Sequence, residues 1–373
     1  MGIHRIFNNK YIFQPPNLLH FLLFIVFPFS FICSEAALTI PRAPKNSVSA
    51  VLVFGDSTVD PGNNNFVPTI FKGNFPPYGQ DFVNQEPTGR FSNGKLATDF
   101  IAAYVGVKET VPPYLDPTLS IDELKTGVSF ASAGTGFDPL TPQISNVVSM
   151  SKELEYFKEY KKKLAAVMGK EKAEEHVKKS LVVLSCGTND FVINYFTLQI
   201  RTNFTISQYQ RFILDKKIRF IQSLFDLGAR RIFVTGLSAI GCLPVVVTLF
   251  SKDAFVDRKC LDHYSTVGKE FNAMLQSELT EMQNRLAHQG AKIILSDPYD
   301  MFLKMIKSPD FDKATTGCCG TGYLEAGILC NPHTYVCPNP YRYIFWDAIH
   351  PTEQVYFNII MAARPIIDYM IKD

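Results

Sequence analysis

The sequence predicts an α/β protein whose parallel sheet is covered by helices on both faces. Three observations lead there. Short β-rich runs recur along the 373 residues: "AVLVFGDS", "GVSFASAG", "SLVVLSCGTND", "RRIFVTGLS" and "AKIILSDPY", each closing in Gly, Ser, Asn, Asp or Pro. The runs are continuously apolar rather than alternating, as strands buried on both faces are. Between them the apolar period is helical, with Leu154, Phe157, Tyr160 and Leu164 forming one stripe and Phe271, Met274, Leu275 and Met282 another. Strands alternating with helices build a parallel sheet with helices on its faces, and both stripes are assigned to its core.

Along the chain, the first strand runs straight into Gly55, Asp56 and Ser57, all turn formers. The stretch "FILDKKIRFIQSLFDLGARR" predicts a helix that stops at Gly228, a C-capping glycine, just before the strand beginning at Arg231. "HPTEQVYFNIIMAARPIIDYM" predicts a final helix with Pro351 near its first position. Two long loops, 58–95 and 296–346, are where specificity is expected, because binding residues gather on loops held by a rigid sheet. No repeat, low-complexity linker or composition break marks a second domain. One domain is expected over residues 47–373, after a short tail at 37–46.

The N-terminal segment is set apart from the fold. His4, Arg5 and Lys10 precede the apolar run "LLHFLLFIVFPFSFIC" and the small residues of "SEAA", the layout of a secretory signal peptide spanning 1–36. A secreted, extracellular protein with no membrane span after cleavage is therefore expected. The formal net charge is +2, and the lysines of 161–179 alternate with glutamates, so nucleic acid is excluded as the expected partner. Seven cysteines follow the signal segment: Cys186, Cys242, Cys260, Cys318, Cys319, Cys330 and Cys337. Cys186, in the apolar run "LVVLSCG", is the expected free thiol. The other six allow three disulfides of undetermined pairing, preferred over zinc in an oxidising compartment. The sequon "NFT" makes Asn203 an expected N-glycosylation site on the surface.

Ligands of an open parallel sheet sit beyond the carboxyl ends of its strands. Three strand ends carry chemistry: Ser57 after the first, the "SAGTG" turn with Gly134 after the second, and "GTND" with Asn189 after the third. "FWDAIHPTE" adds Asp347 and His350, three residues apart. Each residue alone reads equally well as a turn or cap. Together they supply an acyl-transfer site. A serine needs a base, a base needs an orienting carboxylate, and a tetrahedral intermediate needs donors for its oxyanion. His350 is the candidate base and Asp347 its partner. The backbone N–H groups of Ser57 and Gly134 and the Asn189 amide are the candidate oxyanion donors. His176, His263, His288 and His333 lack such a setting, and His176 and His288 are expected to be solvated.

The ordered blocks "FGDS", "FASAGTG", "GTND" and "WDAIHPTE" resemble those of the GDSL, or SGNH, esterase and lipase superfamily in its secreted plant-type branch. "DPGNNN", "GRFSNGKLATDFIA", "GLSAIGCLP" and "TTGCCGTGYLEAGILCN" extend the likeness over nearly the whole chain beyond the signal segment. The resemblance implies a flavodoxin-like three-layer α/β/α sandwich with a mostly parallel five-stranded sheet. It also implies hydrolysis of acyl or lipid esters through an acyl-enzyme, without metal or organic cofactor. In that family's terms Ser57 is nucleophile and first oxyanion donor, Gly134 and Asn189 are the other donors, and Asp347 and His350 complete the triad. Two positions depart from the pattern: Thr58 replaces the leucine of the family name, and Ala133 stands where a second glycine is frequent. Acyl transfer to another alcohol, carbohydrate deacetylation and a non-catalytic binding role are the alternatives.

Overall fold

Apolar five-residue runs become strands because both of their faces can be buried at once. In β1 (Val51–Gly55) every residue is buried; Leu52 and Phe54 enter one hydrophobic core while Val51 and Val53 enter another. Successive side chains of a strand point to opposite faces, so one strand feeds both cores. The computed structural model describes residues 48–372 together with 38 and 40–43. The expected signal segment lies outside the described residues.

After β1 come α1 (Ala97–Tyr104), α2 (Ile121–Thr126), α3 (Leu140–Ser145), α4 (Met150–Met168), α5 (Lys170–Lys179) and β2 (Leu181–Ser185). They are followed by α6 (Ile206–Asp226), β3 (Arg231–Thr235), α7 (Pro244–Phe250), α8 (Asp262–Leu286) and β4 (Lys292–Ser296). The chain ends with α9 (Tyr299–Ile306), β5 (Lys313–Gly317), β6 (Tyr343–Phe345) and α10 (Glu353–Ile371). β1, β2, β3 and β4 pair in that order, all parallel. Helices α4, α6 and α8 contribute Phe157, Ile213 and Phe271 to the core on one face, and α1 and α10 contribute Phe100 and Ile367 to the core on the other. These are the three layers expected, and both predicted stripes are buried or half-buried along α4 and α8.

The regular sheet has four strands rather than five. The predicted second strand, "GVSFASAG", runs parallel along the outer side of β1 but forms only one bridge with it, Val53 to Ser129; Ser129 also bridges Pro113. Val53 N–H donates to Val128 O and Phe130 N–H to Val53 O. On its other side the segment bonds to loops: Ser129 O accepts from Tyr114 N–H and Asn63 Nδ2, and Ala131 O accepts from Asn63 Nδ2. Gly127 sits flush on Val51, at φ +105, where a Cβ would lie 2.0 Å from Val51 O. With this segment counted as a strand, the sheet order is 2-1-3-4-5, the flavodoxin-like arrangement.

Three smaller expectations are corrected. The final helix begins at Glu353 with Thr352 as N-cap, so Pro351 lies outside it. The loop 296–346 contains α9 and the parallel β5–β6 pair. His176 is half-buried, and burial holds its imidazole below the usual range, whereas His288 is exposed as expected. Gly228 follows α6 at φ +109, as a capping glycine does.

The cysteines pair as Cys242–Cys260, Cys318–Cys337 and Cys319–Cys330, leaving Cys186 free and buried. Burial pushes the Cys186 thiol well above its usual range. Accordingly, a chain beginning at Leu38 is expected to show no reactive thiol toward a dithionitrobenzoate reagent while folded and one after denaturation. A thiol titrating in the native protein, or three after denaturation, would contradict this pairing.

Candidate active site

Ser57 is presented by the way β1 ends. Gly55 takes φ +139 against β2, where a Cβ would stand 1.8 Å from Ser185 O, a position closed to any side chain. Asp56 N–H then donates to Ser185 O at 3.0 Å, and the Asp56 carboxylate accepts from Thr58 N–H and Thr58 Oγ1 at 3.0 and 2.8 Å. This Asx-type turn consumes Asp56 locally and leaves Ser57 at the carboxyl end of the sheet.

Asp347 and His350 lie on the turn between β6 and α10. Asp347 Oδ1 accepts from the N–H groups of Ile349 and His350 at 2.8 and 2.7 Å, and Trp346 N–H donates to His350 O at 2.7 Å. The turn brings His350 Nδ1 to 2.7 and 2.9 Å from the two Asp347 oxygens. On the other side His350 Nε2 stands 2.8 Å from Ser57 Oγ. A carboxylate on Nδ1 assigns the proton there, so Nε2 is left to accept from the serine hydroxyl. Asp347 is fully buried, and Ser57 and His350 are only 7% and 4% exposed. The Phe91 ring, 4.8 Å from the imidazole, closes its flank.

The other two sequence candidates belong to the same neighbourhood. Asn189 Nδ2 donates to Thr135 O at 2.9 Å, which fastens the amide to the "SAGTG" turn and leaves its second hydrogen for another acceptor. Both Ser57 and Asn189 line one cleft. Within the turn, Ala133 N–H donates to Asp60 Oδ2 at 3.0 Å and Thr135 N–H to Ser132 O at 3.2 Å. Gly134 stands between these two committed amides at φ +86, and its own N–H, like that of Ser57, has no acceptor among the described residues. Ala133 is thereby excluded as a donor. Asn203 is exposed in the turn before α6, remote in role from this site.

"DPGNNN" explains itself as a brace. Asp60 Oδ1 accepts from Gly62 and Asn63 N–H, while Asn64 Nδ2 donates to Ala133 O and Phe71 O. Together with Asn63 they clamp the 129–134 segment beside β1. Arg90 forms a two-pronged pair with Asp99, whose carboxylate also accepts from Leu96 and Val111 N–H. That buried pair holds "GRFSNG" in place and with it Phe91.

Sequence reasoning missed Tyr78. Its hydroxyl donates to Asp347 Oδ2 at 2.7 Å and accepts from Gly327 N–H at 2.8 Å, and the side chain is buried. Burial, then the Asp347 charge, push the phenol well above its usual range, which keeps it a donor. Tyr78 is 269 residues from Asp347, and no local pattern marks it. Among the described residues no cluster of three or more His, Cys, Asp or Glu could hold a metal.

An α/β sandwich whose strand-end serine is hydrogen-bonded to a His–Asp pair is the architecture of a serine hydrolase. Residues 51–363 match the family model described as GDSL-like Lipase/Acylhydrolase. An Arabidopsis thaliana protein named GDSL esterase/lipase is 57% identical, covering 87% of this chain and 88% of its own. A second of that name and organism is 42% identical, over 92% and 97% of the two chains. A third is 41% identical, over 84% and 89%. The chain belongs to the GDSL-like lipase/acylhydrolase family and is a carboxylic ester hydrolase.

Replacing Tyr78 with Phe strips a donor from Asp347, leaving its charge to favour the imidazolium more strongly. The acidic limb of the kcat/KM profile is then expected to move to higher pH, by on the order of one unit. An unmoved limb in a folded Tyr78→Phe protein would remove Tyr78 from this network. Burial also raises carboxyls around the site: Asp60 to about 6, and Asp190 and Glu353 to about 7. Between about pH 4 and 7 the folded chain keeps protons that the unfolded chain has released, so stability falls as pH rises through that window. Thermal melts are expected to give a Tm several degrees lower at pH 8 than at pH 5, with Asp190→Asn flattening the dependence.

Proposed function

We propose that Ser57 is the nucleophile, His350 the general base and Asp347 its orienting acid, in a secreted hydrolase of acyl or lipid esters. The observation that carries this reading is the continuous hydrogen-bond line Asp347–His350–Ser57, buried along its whole length. His350 takes the serine proton as Ser57 Oγ attacks the ester carbonyl. The Ser57 and Gly134 N–H groups and the free Asn189 amide hydrogen hold the oxyanion. His350 then protonates the departing alcohol. Water, deprotonated by the same imidazole, hydrolyses the acyl-enzyme and restores Ser57. None of these steps draws on a cofactor.

The apolar run at 18–33, the three disulfides and the exposed sequon at Asn203 support a secreted glycoprotein, with one hydrolase domain over 47–373. No helix among the described residues is long and apolar enough to cross a membrane. The balanced charge supports a small-molecule or lipid ester, rather than nucleic acid, as the partner.

A fluorophosphonate is expected to label the protein and to fail on Ser57→Ala. Labelling that survived the substitution would take the serine out of the mechanism. Asn189→Ala loses one oxyanion donor, about 3 kcal/mol of the barrier, and is expected to turn over a hundredfold or more slower while remaining folded. Full turnover by that variant would leave the amide without a catalytic part.

A further inference from the structure

A cleft runs from Ser57 beneath α1 and α10 and across the carboxyl ends of β2, β3 and β4. The centre of a water-sized molecule can range over about 110 Å³ of it. Its walls are apolar, with Ile101, Val183, Phe233, Phe302, Phe345 and Ile360 all buried. Its floor is different. Ser185, Thr235 and Ser296 are the last residues of β2, β3 and β4 and lie at one level, since Leu184 pairs with Val234 and Thr235 with Ser296. All three line the cleft. The Ser185 hydroxyl is committed to Thr58 Oγ1 at 2.9 Å. Thr235 is half-buried and Ser296 is 8% exposed, and their hydroxyls make no hydrogen bond among the described residues. Both hydroxyls are free to bond an oxygen-bearing group that enters the cleft.

We propose that this cleft is the acyl pocket, and that it selects a medium-length acyl chain carrying an oxygen function in its distal half, bonded by Thr235 and Ser296. The proposal rests on Ser57 being the nucleophile. The acyl group occupies the cleft, rather than the alcohol, because the alcohol must leave while the acyl group is still attached to Ser57. An alcohol under α10 would be trapped behind it. Neighbouring strands are about 4.8 Å apart, so Thr235 and Ser296 lie about 10 and 14 Å from the end of β1 along the row. An extended chain advances about 1.3 Å per carbon, which places the oxygen between about the seventh and the eleventh carbon.

The test measures kcat/KM on p-nitrophenyl butyrate, decanoate and 10-hydroxydecanoate with the wild type, Thr235→Val and Ser296→Ala. The wild type is expected to favour hydroxydecanoate over decanoate by about tenfold, and each substitution to cut that ratio by about fivefold. A wild-type ratio near one, as when water already satisfies both hydroxyls, overturns the proposal. So does a substitution that slows both ten-carbon esters alike. Butyrate cleavage with no activity on either ten-carbon ester overturns the pocket and leaves the Ser57 mechanism standing. Silence on all three esters, with no fluorophosphonate labelling, overturns the mechanism and the pocket together.

Discussion

The hydrogen bond between Ser57 Oγ and His350 Nε2 joins residues 293 apart in the chain, and the arrangement around it depends on that contact being held. Each partner is set in place by the turn that carries it. Ser57 stands on a turn pinned to β2 through Gly55 and Asp56, and His350 on a turn closed by the carboxylate that also holds its ring. Because both turns hang from the same layered core, the distance between them is set by strand pairing and helix packing. A residue on a rigid element keeps its geometry without spending conformational freedom at the moment of reaction.

Buried polar contacts extend this rigidity to the loops. Asp60, Asn63 and Asn64 hold the segment that carries Gly134, and the Arg90–Asp99 pair holds the segment that sets Phe91 on the imidazole. Tyr78 links Asp347 to Gly327, on a loop tied back by Cys319–Cys330 and Cys318–Cys337. A long loop has too few apolar contacts to order itself. Here saturated hydrogen bonds and cross-links do what core packing does for the helices.

Burial also sets the local electrostatics. Glu153 lies beneath Gly55 and accepts its N–H, and burial pushes its carboxyl well above the usual range. Lys217, buried and bonded to the carbonyls of Cys186 and Thr235, is lowered to about 8 by the same desolvation. In both groups burial disfavours the charged form beneath the strand ends.

How much of this was legible differed from element to element. Residue type and order were enough to find the four strands of the main sheet, the α4 and α8 stripes and the free thiol, and to name Ser57, Gly134, Asn189, Asp347 and His350 as one candidate set. Apolar period, strand-end turns and the three-residue spacing of Asp347 and His350 are local properties, and local properties are written in the chain. The fifth strand was read too regularly, because whether its carbonyls pair with β1 or with Asn63 and Tyr114 depends on loops arriving from elsewhere. Tyr78, the disulfide pairing, the exclusion of Ala133 as a donor and the hydroxyl row across β2, β3 and β4 share one cause of illegibility. Each is a meeting of residues brought together only by sheet register and packing, and the sequence carries no record of distance between such partners. By itself, then, the sequence determined which groups the chemistry could use; the tertiary structure decided which of them touch.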